Sequence, residues 1–394
     1  AATSAEFLVL EGENGPSPVL TDESLTQDLG AVLTDSATYV DVTGFTVDTS
    51  GLTDGANYWI WARSAYANYL SNFPTTGQTR LAYGGVGFPG SVGVFSTSTV
   101  GAGHDFSYQT LHTIDVTENI TLQARNTLQD DDVENNDFAV LGLNADSLGD
   151  AFFFSEDATT TVTGTSWVNT AASVTVPAGD YLIGVTANHN SYGSTDTMYT
   201  GIDDGTSVTE VCEFRNDNAA DRHVSGGLWI KQSVAADTTF STAVRASGTF
   251  QVTHAAITAI RLEGFAEQYS DVYLPNITSP FNTAPGPNPL TRNFTAQSSG
   301  EFIAVGFCRQ TWPGSGFSGT QEITVNINGG GATQVARNYN VDHDDSGDFY
   351  TLDLLPFTTF TLTAGDSVEV KFDIRTQAPV AASEQWEGLG MAVF

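Results

Sequence analysis

The chain has 394 residues, 40% of them hydrophobic, and a formal charge of −33 from 46 acidic against 13 basic residues. That is enough apolar material for two or three domains with real cores, so the chain is not disordered. A field of this sign repels phosphate backbones and excludes nucleic acid as a partner, and no stretch approaches 18 apolar residues, so no membrane insertion is expected.

The favoured residues are Thr, Val, Phe, Tyr, Gly, Ser and Asp, the types that build strands and turns. Lysine is confined to Lys231 and Lys371, and the other basic residues are arginine. An acidic, lysine-poor surface stays soluble when salt screens its self-repulsion, which fits a halophilic or marine protein as well as an acidic secreted or virion protein. The opening residues 1–6, AATSAE, carry neither a basic nor an apolar region, so no signal peptide is legible. Either one has been removed or only an initiator Met has been lost.

In chain order, a first strand is expected over 6–12, EFLVLEG, which resembles the later segment 259–265, AIRLEGF. Next comes 58–63, YWIWAR, after the turn Asp54-Gly55-Ala56-Asn57. Then follow 120–125, ITLQAR, and 138–141, FAVL. The same three markers return as 181–186, YLIGVT, then 240–245, FSTAVR, then 257–260, ITAI. They return again as 302–307, FIAVGF, then 370–375, VKFDIR, then 389–394, LGMAVF. Tyr58, Tyr181 and Phe302 recur about 120 residues apart, and the middle marker ends each time on arginine: Arg125, Arg245, Arg375.

Short period-2 runs broken by turn clusters such as Asn328-Gly329-Gly330-Gly331 indicate sandwiches or barrels. The fold class expected is all-β, with three tandem jelly-roll or Greek-key β-sandwich domains over 1–144, 145–265 and 266–394. No helix longer than about two turns is expected. Segments 144–172 and 266–293 read as spacers, the second stiffened by Pro280, Pro285, Pro287 and Pro289. Cys212 and Cys308 fall at different points of different copies, so no stapling disulfide is expected.

The third unit resembles the C1q/TNF-like jelly roll. The residues that carry the resemblance are 299–305 (SGEFIAV), 325–329 (VNING), the hairpin 360–370 (FTLTAGDSVEV) and the closing strand 389–394. The resemblance covers roughly the last hundred residues and fades in the other two units. It implies a homo-oligomer, most simply a trimer formed through one sheet face. Repeats of this kind on an acidic chain are also similar to surface proteins of tailed viruses: capsid decorations, turrets, head fibres and tail fibres. The function expected on that basis is a virion surface structural protein acting by assembly and attachment. Its expected partners are its own copies, other virion proteins and a host-surface glycan. The alternative is a secreted or cell-surface adhesin or carbohydrate-binding protein.

No enzyme is expected. The glycine-rich run 314–319, GSGFSG, is not a nucleophile elbow, and no phosphate-cradling loop opens a helix. His104, His112, His189, His223, His254 and His343 are scattered, none at zinc-ligand spacing. The stretch 342–348, DHDDSGD, is the most chemical-looking. Asp342, Asp344, Ser346 and Asp348 place hard oxygens at alternate positions around a Gly turn, which suits Ca²⁺ or Mg²⁺ and no other cofactor. The pattern departs from a calcium loop at its twelfth position, where Asp353 replaces glutamate, and it reads also as a solvated acidic hairpin tip. A second acidic run, 130–137, is read as such a tip. Of Trp59, Trp61, Trp167, Trp229, Trp312 and Trp386, most are expected to fill cores, with Trp312 in a loop as the candidate exposed one.

Overall fold

The computed structural model describes residues 6–10, 37–68, 75–97, 103–126, 133–159, 161–191, 197–215, 222–248, 250–262, 269–274, 277–278, 290–313, 319–340, 349–354, 357–376 and 385–393. The first third carries β1 (Glu6–Leu10), β2 (Val40–Val47), β3 (Asn57–Asn68), β4 (Thr75–Tyr83), β5 (Val86–Thr97), β6 (Gly103–Thr113), β7 (Ile120–Asn126) and β8 (Val133–Asn144). A four-residue helix, α1 (Ala145–Leu148), and a single 3₁₀ turn follow. The middle third carries β9 (Phe152–Asp157), β10 (Thr161–Thr163), β11 (Val168–Val176), β12 (Gly179–Ser191), β13 (Thr197–Asp203), β14 (Val208–Arg215), β15 (Arg222–Val234), β16 (Thr238–Ala246) and β17 (Phe250–Arg261). The last third carries β18 (Tyr269–Leu274), β19 (Ile277–Thr278), β20 (Leu290–Thr295), β21 (Gly300–Pro313), β22 (Gly319–Ile327), β23 (Ala332–Asn340), β24 (Phe349–Leu354), β25 (Phe357–Leu362), β26 (Ser367–Thr376) and β27 (Gln385–Val393).

The chain is all-β in class, and α1 is the longest helix among the described residues. Strand β11 shows why. Its sequence VNTAASVTV buries Thr170, Ala172, Val174 and Val176 and exposes the residues between them, the period of two that a pleated strand with one wet face requires. Branched side chains at such positions favour the extended backbone.

One strand order occurs three times. The strands that contain Tyr58, Tyr181 and Phe302 lie beside the closing strand of their own third: β8–β3–β6, β17–β12–β15 and β27–β21–β24. The strands that end near arginine lie in the facing sheets, β2–β7–β4–β5, β11–β16–β13–β14 and β20–β26–β22–β23. Between each pair of sheets sits one apolar cluster. The first holds Tyr58, Ile60, Leu81 and Leu122. The second holds Tyr181, Ile183, Phe240 and Ile257, and the third Phe302, Ile323, Phe360 and Phe372. Strand β1 runs parallel beside β8, with Phe7 opposite Val140.

Two expectations need correction. Residues 144–172 are not a spacer. They contain β9, which pairs with β17 from Phe152↔Ile260 to Asp157↔Ala255. The triple phenylalanine of β9 does not alternate because both of its faces make contacts, each ring being partly buried. Phe153 packs against Tyr181 of the second core at 6.0 Å, while Phe152 reaches Trp59 of the first unit at 6.2 Å. In the second presumed spacer, β18 and β19 pair with β27 and β20 pairs with β26. Its proline-rich part lies outside the described residues.

Candidate functional site

Strand β3 reads YWIWA, apolar on both faces. Tyr58, Ile60 and Ala62 point into the first core. Trp59 and Trp61 therefore point out of the sandwich, yet both are 0% exposed. What covers them is the second unit. The indole of Trp229, on β15, meets Trp59 edge-on at 5.8 Å and 86° and Trp61 at 5.2 Å. Trp59 donates its indole N–H to Gln109 Oε1 at 3.1 Å, and Trp61 donates to Ser107 Oγ at 3.0 Å. Across the seam, the Thr258 hydroxyl of β17 donates to the same Gln109 oxygen.

The opposing face of the second unit is cut to fit. Strands β12 and β17 are buried continuously over 181–189 and 254–260, because one face lines their own core and the other lies on the first unit. Gly184 is needed where Trp229 lies across the strand, since a Cβ there would sit 2.6 Å from the indole. Gly90 of β5, at φ +71°, presses on His254 so closely that a Cβ would sit 2.6 Å from the histidine Cβ. Its carbonyl accepts from the Asn188 amide. The His254 ring stacks near Tyr108 at 4.5 Å, and its Nε2 lies 3.4 Å from Glu156 Oε2. A single backbone pair, His223↔Val94, joins β15 to β5 and makes one nine-stranded sheet of the two units. Three of the tryptophans expected to fill cores, Trp59, Trp61 and Trp229, thus fill an interface between sandwiches.

The other surface with defined chemistry is the outer face of the arginine-bearing sheets. In the first unit both guanidiniums of Arg80 and Arg125 lie over the Tyr39 ring, at 4.0 and 4.7 Å. In the second, Arg245 lies over Tyr199 at 4.3 Å and Trp167 at 5.0 Å. The arginine that marks each repeat is therefore a stacking residue on the outside of its sheet in the first two units.

Asp342, Asp344, Ser346 and Asp348, between β23 and β24, lie outside the described residues, as do His343 and Asp130, Asp131 and Asp132. Among the described residues no three His, Cys, Asp or Glu side chains group as a metal site. His189 is sealed in the second core against Thr200, with Nε2 2.7 Å from the hydroxyl, and burial drives its pKa down to about 3. His112 is half-buried and shifted in the same direction by desolvation, which Glu156 partly opposes. Trp312 belongs to strand β21, opposite Tyr350, and not to a loop; the strand runs on until Pro313, whose missing N–H suits a strand end.

No family model and no curated protein matches the chain. Among solved structures, a structure of PNGF-II is 9% identical, with a TM-score of 0.28 over 86% of this chain and 98% of that one. An archaeal-virus turret protein with a triple jelly roll fold is 8% identical, with a TM-score of 0.20 over 93% and 85%. The N-terminal CBM22-1-CBM22-2 tandem of Paenibacillus barcinonensis Xyn10C is 9% identical, with a TM-score of 0.20 over 61% and 92%. Likeness of this size carries no conclusion about what the chain does.

Proposed function

We propose that the chain is a non-enzymatic structural protein of a virion surface, a capsid decoration, turret or fibre component that acts by assembly and attachment. The observation that carries this reading is the fate of the four tryptophans whose side chains are described. An adhesin or carbohydrate-binding protein needs an exposed aromatic platform, whereas Trp59, Trp61 and Trp229 are sealed between two sandwiches and Trp167 is stacked with Arg245. Their chemistry serves cohesion. In the same reading the three sandwiches, limited near residues 144 and 265, are the domains, and the third is the C1q/TNF-like one.

The sheet face through which such sandwiches would trimerise is, in the first two units, already covered within the chain. Strand β24 also lies against β14 and β15, and β23 lies beside β3, β6 and β8. The chain then acts as a trimer-like body by itself, and its homo-oligomer forms through other faces. Antibodies against the purified chain are expected to label the outside of intact virions from the source culture. Labelling confined to cell envelopes, together with binding of a defined glycan, would overturn the reading in favour of the adhesin.

If a cation binds the chain, we propose that it is Ca²⁺ or Mg²⁺ at Asp342, Asp344, Ser346 and Asp348. In that case millimolar Ca²⁺ raises the melting temperature and a chelator lowers it, because an ion bound only by the folded state stabilises it by mass action. A transition that moves with neither removes the cation.

A further inference from the structure

The chain has few positive charges, and two of them, Arg80 and Arg125, stand side by side on one face with no counter-ion among the described residues. Tyr39, just before β2, donates its phenol to Gln78 Oε1 at 2.8 Å. Arg125 Nε donates to the same oxygen at 2.7 Å, and Arg80 Nε donates to Gln123 Oε1 at 2.8 Å. The nearby carboxylate, Asp41, accepts from Gln123 Nε2 at 2.8 Å and Thr121 Oγ1 at 3.1 Å. Among the described residues it makes no ion pair with either arginine. Arg80 lies flat over Gly87, where a Cβ would meet its Cδ at 2.6 Å. The two guanidiniums are held in place by stacking and by neutral amides, with their forked terminal nitrogens uncommitted among the described residues. Such a fork matches a carboxylate.

The opposite end of the same sheet is acidic. Asp54, Asp115 and Glu118 are exposed and ion-pair with nothing among the described residues. They crowd the β4–β5 and β6–β7 turns. Asp54 Oδ1 accepts from Val116 N at 3.3 Å, Asp115 Oδ1 from Thr117 N at 3.0 Å, and the Glu118 carboxylate lies beside Gly84. Strand β7 connects the two ends, from Ile120 opposite Tyr83 to Arg125 opposite Gln78, a span of about 17 Å. One chain cannot close that distance on itself, but a neighbour can.

We propose that the Tyr39–Arg80–Arg125 face docks the Asp54–Asp115–Glu118 end of a second copy of the chain. The contact is heterologous, so copies add head to tail into rings or rows. It rests on the assembly reading above and names the surface that reading requires. The net charge of each copy opposes approach at low salt, where repulsion reaches about 30 Å, but at about 0.15 M it is screened beyond about 8 Å while contact pairs persist. Association is therefore expected to strengthen as salt rises from about 0.01 to 0.15 M, the reverse of a simple salt-bridged pair.

Sedimentation velocity on the full chain tests this. The Arg80→Gln/Arg125→Gln variant is expected to associate on the order of tenfold or more weakly than wild type. Arg80→Glu/Arg125→Glu and Asp115→Lys/Glu118→Lys are each expected to be monomeric alone, and to associate when mixed, because each then offers the face the other lacks. Recovery on mixing also demonstrates that both variants are folded. Wild-type association that Arg80→Gln/Arg125→Gln leaves unchanged overturns the docking face and leaves virion labelling as an independent test of the function. A wild-type chain that is monomeric at every salt concentration overturns the docking face too.

Discussion

Trp229→Ala is expected to lower the unfolding free energy by about 3–5 kcal/mol and to split one cooperative transition into two. Trp229 is 1% exposed and is wedged between Trp59, Trp61 and the bare backbone of Gly184. Truncation leaves a cavity between two sandwiches whose covering layers are already complete, so neither can collapse to fill it. It also uncovers Trp59 and Trp61, and tryptophan emission in the folded state should shift to the red. Trp229→Phe is the informative control. The indole N–H of Trp229 finds no acceptor among the described residues, so Phe loses no hydrogen bond there and, leaving a smaller cavity than Ala, is expected to cost less. Gly184→Ala approaches the same seam from the other side and is expected to cost about 1–3 kcal/mol by overpacking. Trp167→Ala, on the outer face with Arg245, should cost about 0.5–1 kcal/mol, the worth of an exposed cation–π contact. Differential scanning calorimetry decides the matter: Trp229→Ala melting as a single transition at the wild-type temperature would mean that the seam does not couple the units.

The repeated strand order was legible because each long strand follows a turn and each closing strand pairs beside it. Tyr58, Tyr181 and Phe302 hold equivalent places in β3, β12 and β21 for that reason. The interface was not legible as such, although its signal was present. YWIWA is apolar at every position, and 181–189 and 254–260 do not alternate. A strand with one wet face alternates; a strand that fails to do so has two buried faces. The phenylalanine run of β9 is the same signal, and it was missed because the segment sits where a linker was expected. The recurrent arginine marked the repeat without disclosing a role, since stacking on Tyr39 or Tyr199 depends on which neighbour lies beside it in the sheet. Asp342, Asp344, Ser346 and Asp348 stand on sequence alone.

Acid is expected to destabilise the second sandwich well before its carboxylates titrate. His189 is 0% exposed, its Nε2 meets Thr200 Oγ1 at 2.7 Å, and its ring lies 5.1 Å from Phe250. Burial disfavours the charged ring and lowers its pKa to about 3, against an ordinary value of 6.5. The unfolded chain therefore takes up a proton as pH falls through 6.5, while the folded chain refuses it until about pH 3. Since the unfolded state binds more protons throughout that window, stability falls as pH falls, by on the order of 3 kcal/mol between pH 8 and pH 4. Half-buried His112 adds to the loss in the same direction. The carboxylates act lower down. Asp48, Asp115, Asp204 and Asp366 are held below the usual carboxylate range by hydrogen bonds. For Asp157 burial pushes the other way, and bonds from Thr159 and Ala171 outweigh it. Their contribution is complete above about pH 4 and is lost only below it. His189→Gln keeps a partner for Thr200 and removes the titration. Urea unfolding at pH 8, 6, 5 and 4 should then show the variant losing about 3 kcal/mol less than wild type across the series. Parallel losses in the two proteins would mean that His189 is not the acid-sensitive group.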